Sequence, residues 1–327
     1  VLIIGILIPS LVLFNYIGNQ ANQVKLTELS QIDTGGDAVD VEVHYDIAYV
    51  SDMNSNLLNI IDVSDPANPV LLSTFQAHRN HQLTVVANGT HNAICYLTDH
   101  NYGLYILNVS DPSNPQILSQ YTDPGEIDDL VVIGDYAYII DQEDGLEIVD
   151  ISDPTDPQKL GAFSYGVSGY HINIIIRDKI AYLTDAQTGL TIVNISDPTN
   201  MQELGSYNHG GQFSWMDIRD NYLFVPDQDK IRIIDIYDPS NPTLYSTIND
   251  TGGHGVITVK NNLMYVSDFE EGLEVYDVSD LQNPEKLVTF FDGGMAFGHW
   301  VDYNLIFVAD KSDNLEIFKL DLPHYDD

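Results

Sequence analysis

The chain has 327 residues, with 49 Asp plus Glu against 12 Lys plus Arg, a formal charge of -37 and one cysteine. Such an excess of negative charge repels phosphate, which excludes nucleic acid and anionic lipid head groups as partners. A single cysteine excludes an internal disulfide framework, and Cys95, inside the apolar run Ala93 to Leu97, reads as a small core residue.

The first element is apolar. Residues 1–17 carry no charge and only Ser10, Asn15 and Tyr16 as polar side chains. A helix of that length extends about 26 Å, slightly less than the roughly 30 Å bilayer core. The stretch begins at Val1 with no Met or basic flank ahead of it, unlike a secretory signal. It resembles the N-terminal segment of mature archaeal type IV pilins and archaellins, with Gly5 where bacterial pilins carry a glutamate. That resemblance implies a helix over 1–23 that anchors in the membrane and then packs against copies of itself, through Val1, Ile4, Leu7, Leu11 and Phe14, with a bend allowed at Pro9.

From residue 24 onward the chain repeats. A Tyr/Phe-x-x-Asp element ends at Asp52, Asp99, Asp141, Asp185, Asp227, Asp268 and Asp310, 41 to 47 residues apart. A unit of that size cannot bury its own apolar face, so copies must stack, and the period is that of four-stranded propeller blades. Within one unit, Tyr136 to Ile140 reads as a strand, Asp141 to Gly145 as a turn and Leu146 to Val149 as the returning strand. Gly145, like Gly103, Gly189 and Gly272, suits a positive φ, and Asn56 and Asn314 are the next-best residues for that position. A proline corner follows: Asp150 to Pro157, echoed at 62–69, 108–115, 194–201, 235–242 and 277–284. It stops the ladder and leads to the outermost strand.

Six units have this corner; the seventh ends after Asn314 to Phe318. Residues 28–36 align with 286–294, an outer strand and the approach to the next inner one. The sequence therefore predicts an all-β, seven-bladed β-propeller of four-stranded blades closed by an N-terminal strand and preceded by one hydrophobic helix, spanning 24–322 with a short tail at 323–327. Closure of this kind leaves no open edge at the seam.

The runs Leu146 to Pro154 and Leu190 to Pro198 resemble the LVIVD repeat, and the Tyr-Val-Ser-Asp elements resemble the related YVTN surface propellers. The resemblance implies a bacterial or archaeal cell-surface protein and supplies no activity. Four Asn-x-Ser/Thr sequons stand at Asn88, Asn108, Asn194 and Asn249. Asn108 and Asn194 occupy the corner position that is Asp in other units, which leaves Asn88 and Asn249 as the better glycan acceptors.

No Gly-x-Ser-x-Gly, phosphate loop, His-Glu-x-x-His or Cys-x-x-Cys is present, and no cofactor is expected. The sevenfold Asp reads as a turn cap. Asp141-Gln142-Glu143-Asp144 and Asp128-Asp129 are candidates for Ca²⁺. His81, His171 and His254 are read at one repeat position, at the start of inner strands, where other units carry Ala38, Ile127, Phe213 and Ala296. They are candidates for Zn²⁺ or an anionic ligand at a channel mouth, against the plainer reading of hydrogen-bonded rim residues. Two functions stay open: a non-enzymatic extracellular subunit of a surface filament, self-associating through its N-terminal helix, and a singly membrane-anchored propeller for adhesion that reads a glycan, surface ligand or ion.

Overall fold

In the computed structural model, residues 24–77, 80–87, 93–99, 102–122, 125–165, 173–208, 213–228, 230–249, 254–311 and 314–322 are described, without the side chains of Asn80, His81 and His254. They form seven four-stranded antiparallel sheets. Six are consecutive in sequence: blade 1 over 38–76, blade 2 over 80–121, blade 3 over 127–163, blade 4 over 173–207, blade 5 over 217–249 and blade 6 over 254–290. The innermost strands neighbour one another around the axis. Residues 1–23 and 323–327, hence the predicted assembly helix and tail, lie outside the described residues. Among the described residues no helix is long and apolar enough to cross a membrane.

Blade 7 joins the two ends of the chain. Its strands Ala296–Asp302, Leu305–Asp310 and Asn314–Asp321 are completed by Lys25–Ile32, which pairs antiparallel with Asn314–Asp321 from Lys25↔Asp321 to Ile32↔Leu315. Leu26, Phe318 and Leu320 bury themselves against blade 6, and Leu29 and Ile32 pack toward blade 1. The seam is thus a full sheet with apolar contacts on both faces.

The repeated residues are repeated structural parts. At the hairpin turns, Asn56, Gly103, Gly145, Gly189, Gly272 and Asn314 all take positive φ, between 59° and 91°. At the six corners, Asp62, Asn108, Asp150, Asn194, Asp235 and Asp277 each accept the backbone N–H two residues on at 2.8 to 3.0 Å. The corners also join blades. Ser30, Ser73 and Ser119 on outer strands donate to the carbonyls of Pro66, Pro112 and Pro154 in the next blade at 2.5 to 2.6 Å. Gly161 and Gly205 hold the same position elsewhere, where a Cβ would run into the carbonyls of Pro198 and Pro239.

Cys95 is free and fully buried, packed among the apolar residues between blades 1 and 2.

Candidate functional site

The seven Asp residues of the Tyr/Phe-x-x-Asp element are buried, none more than 2% exposed. In blades 1, 3, 4 and 6 the carboxylate folds back on the hairpin turn. Asp141 Oδ1 accepts the N–H groups of Glu143 and Asp144 at 2.7 and 2.8 Å, and Asp185 and Asp268 repeat the arrangement with Gln187 and Thr188, and with Glu270 and Glu271. Asp52 accepts from Ser55 N, and Asp227 pairs with Arg232 Nε at 2.7 Å. A buried carboxylate that takes two turn donors holds the hairpin, and in the cluster 141–144 read for Ca²⁺ this is the part Asp141 plays, while Asp144 pairs with Lys159 at 2.7 Å.

A second set of carboxylates lies on the inner strands. An innermost strand has one edge without a ladder partner, so its N–H groups need acceptors from elsewhere. Neighbouring blades supply them. Asp40 Oδ2 accepts Leu83 N at 3.0 Å and Glu42 Oε2 accepts Val85 N at 2.7 Å, from blade 1 to blade 2. Asp129 Oδ2 accepts Ile174 N at 2.8 Å and Asn173 Nδ2 at 2.7 Å, while its Oδ1 accepts Leu130 N at 2.8 Å. Asn173 Oδ1 in turn accepts Met216 N at 3.0 Å, and Asp217 Oδ2 accepts Val259 N at 2.6 Å. These side chains lock four of the blade-to-blade junctions at the axis.

Burial and mutual repulsion perturb this ring. Asp40 is pushed up to about 8 by burial, with Glu42 and Asp129 adding to the rise against the bonds from Leu83 and Val41. Asp129 is pushed up to about 7 and Asp128 to about 6, burial again being the main cause. A carboxyl whose folded pKa exceeds its unfolded value binds more protons in the folded state across the interval between them. Its contribution is largest below the ordinary carboxyl pKa and is lost as pH rises through the folded value. The buried His299, lowered to about 3 by burial, acts the opposite way, but only below the ordinary histidine pKa of 6.5. Between pH 6.5 and 8.5 the carboxyl term stands alone among these, so the melting temperature is expected to fall across that window. Asp40→Asn should flatten the slope, and thermal melts of both chains at the two pH values check it.

His254 stands opposite Asp268 in the register, as predicted, but Asn80 and not His81 stands opposite Asp99. His81 therefore belongs one position further along, level with Val39. The hydrogen-bond ladder sets that register, and the loop between the inner and second strands of blade 2 is longer than in its sister units, which hides the offset. His171, Asn88 and the side chains of His81 and His254 lie outside the described residues. Asn108 and Asn194 serve the corners, and Asn249 is exposed at the end of an outer strand. Among the described residues no group of three or more His, Cys, Asp or Glu side chains is arranged to hold a metal ion.

Sequence reasoning missed two features. His299, 5% exposed, occupies the inner-strand position that is Val41, Leu83, Leu130, Ile174, Met216 and Ile257 in the other blades, and its Nδ1 meets Ser267 Oγ at 2.7 Å. The second is a set of buried glutamates in the third strands. Glu147 and Glu274 are fully buried and each is paired with a lysine from the outer strand, Lys159 and Lys286. Tyr121 and Tyr276 donate to the same two carboxylates at 3.0 and 2.8 Å.

Seven blades with a buried Asp before the hairpin, six of them with a proline corner, joined through side chains at axis and rim, define a closed repeat-built β-propeller. The chain belongs to the LVIVD repeat family, whose model matches residues 35–77, 95–123, 124–164, 168–209, 210–250 and 252–290, more than half of the sequence. Blade 7, with its two-ended construction, lies outside the matched repeats, its closing strand before the first and its other three strands after the last. No curated protein matches the chain. Among solved structures, the computationally designed Ika8 protein is similar over 89% of this chain and 99% of its own, at a TM-score of 0.64 and 11% identity. A likeness at that identity concerns the fold, and 1399 solved chains share in such matches, too many to single out an activity.

Proposed function

We propose that the chain is a non-enzymatic extracellular structural protein, a pilin-like subunit whose apolar N-terminal segment packs in a filament core with the propellers outside. The observation that carries this reading is where the wheel begins. Its closing strand starts at Lys25, so the propeller is completed without drawing on the uncharged stretch of residues 1–17. Apolar surface of that extent has to be buried in lipid or against copies of itself. Head-to-tail contacts between such segments generate open polymers, and membrane insertion holds the subunit beforehand. A formal charge of -37 keeps the outer discs soluble and mutually repelling, which suits a sheath around a core. Asn249, exposed at a strand end, and Asn88 are the acceptors proposed for surface glycans.

The second reading, a singly anchored propeller for adhesion or for binding a glycan, ion or other surface ligand, draws on the same segment and on the acidic inner ring. The two part on one test. Electron microscopy of the full chain released from membranes is expected to show fibres, and Leu11→Asp, which places a charge in the packed segment, is expected to abolish them. Dispersed single propellers from the unaltered chain would favour the anchored reading.

A further inference from the structure

The third strands of blades 3, 6 and 7 carry a glutamate at the same position, Glu147, Glu274 and Glu316, and all three are buried. In blades 3 and 6 the outer strand brings a lysine onto it, Lys159 opposite Val149 and Lys286 opposite Tyr276 in the registers. In blade 7 the register sets Glu28 opposite Phe318, so a glutamate of the closing strand stands where the sister blades carry lysine. Glu316 is 3% exposed, its Oε1 has no hydrogen-bond partner among the described residues, and no ion pair to it is found among them. Asp292, on the solvent-facing approach to blade 7, is within hydrogen-bonding reach of Glu316, and Asp310 and Glu28 add negative charge nearby.

We propose that Glu316 and Asp292 form a Ca²⁺ site in the closing blade, where a hard divalent cation takes the place that a lysine ammonium holds in blades 3 and 6. A buried carboxylate is stable only when paired, and here the chain's own pairing device has been replaced by more negative charge. Ca²⁺ accepts six to eight oxygen ligands and is satisfied by two carboxylates with backbone carbonyls and water. Asp292 is exposed, which gives the ion an open route in. The ion would then fasten the strand that closes the wheel, and this holds whether or not the chain polymerises.

The test is a CaCl₂ titration of the full chain after chelator treatment, in about 0.5 M NaCl to screen diffuse attraction, read by thermal melts. The melting temperature is expected to rise by about 5 °C at a hundredfold excess over the dissociation constant. Glu316→Gln and Asp292→Asn should each abolish the rise. Glu28→Lys, which restores the arrangement of blades 3 and 6, should raise the melting temperature without Ca²⁺ and remove the response to it. An unaltered chain indifferent to Ca²⁺, its carboxyl pair being neutralised by a proton, would overturn the site. So would a full Ca²⁺ response retained in Glu316→Gln or in Glu28→Lys.

Discussion

Removing residues 1–34, and with them the closing strand, is expected to cost the propeller its stable monomeric fold. The strand Lys25–Ile32 supplies the whole ladder to Asn314–Asp321 and buries Leu26 against blade 6. Without it that strand becomes an exposed edge, a template for pairing with other chains. The shortened chain should melt at least about 10 °C below a chain starting at residue 24, the effect of several kcal/mol in a domain of this size, and should aggregate as concentration rises. A synthetic peptide of residues 24–34 added in trans should restore part of the loss. Equal melting temperatures for the two truncations would mean that the seam carries no load. Thermal melts followed by circular dichroism, with light scattering, make the comparison.

Asp129→Ala is expected to be the most damaging single substitution at the axis. Its carboxylate serves Leu130 N, Ile174 N and Asn173 Nδ2, and the residue is 5% exposed. Truncation strands two backbone donors away from water and releases Asn173, which itself accepts Met216 N in the following blade. At roughly 1–3 kcal/mol for each buried donor left without a partner, the loss is about 3–5 kcal/mol, a fall of about 5–8 °C in melting temperature. Asp129→Asn keeps one acceptor oxygen and should lose about half as much. Chemical denaturation of the three chains gives the numbers, and a loss below about 1 kcal/mol for the alanine variant would show that water takes over the freed donors.

What the sequence revealed and what it concealed follow from how each contact repeats. The Tyr/Phe-x-x-Asp turns, the glycine or asparagine at positive φ and the proline corners recur in almost every unit because each blade solves the same local problem. The two-ended blade was legible too, since residues 28–36 align with 286–294 and the seventh unit ends early. The contacts that tie blades together at the axis carry no such period. Asp40 and Asp129 sit at one inner-strand position while Glu42 and Asp217 sit two residues further on, and all four reach the same kind of N–H group. Side chains of different length at different positions give no repeat to notice, although the acids in Val39-Asp40-Val41-Glu42-Val43 alternate with apolar residues and so mark the face away from the core.

Blade 5 departs from its sisters for a related reason. Its inner strand is only Asp217–Arg219, and Phe213 pairs with Asp227 as an isolated bridge before it. The counted period was unaffected, because a shortened inner strand changes the pairing and not the spacing of the Asp caps. The histidine positions show the converse: His81 and His254 look equivalent by counting, and the ladder separates them by one residue.

Sedimentation velocity on the full chain beside a chain starting at residue 24 tests the central claim most directly, because it asks whether the apolar segment and not the wheel drives assembly. The shortened chain is expected to sediment as a single folded monomer with unaltered β-sheet circular dichroism while the full chain forms large polymers. Polymers of the same size from the shortened chain would contradict the account.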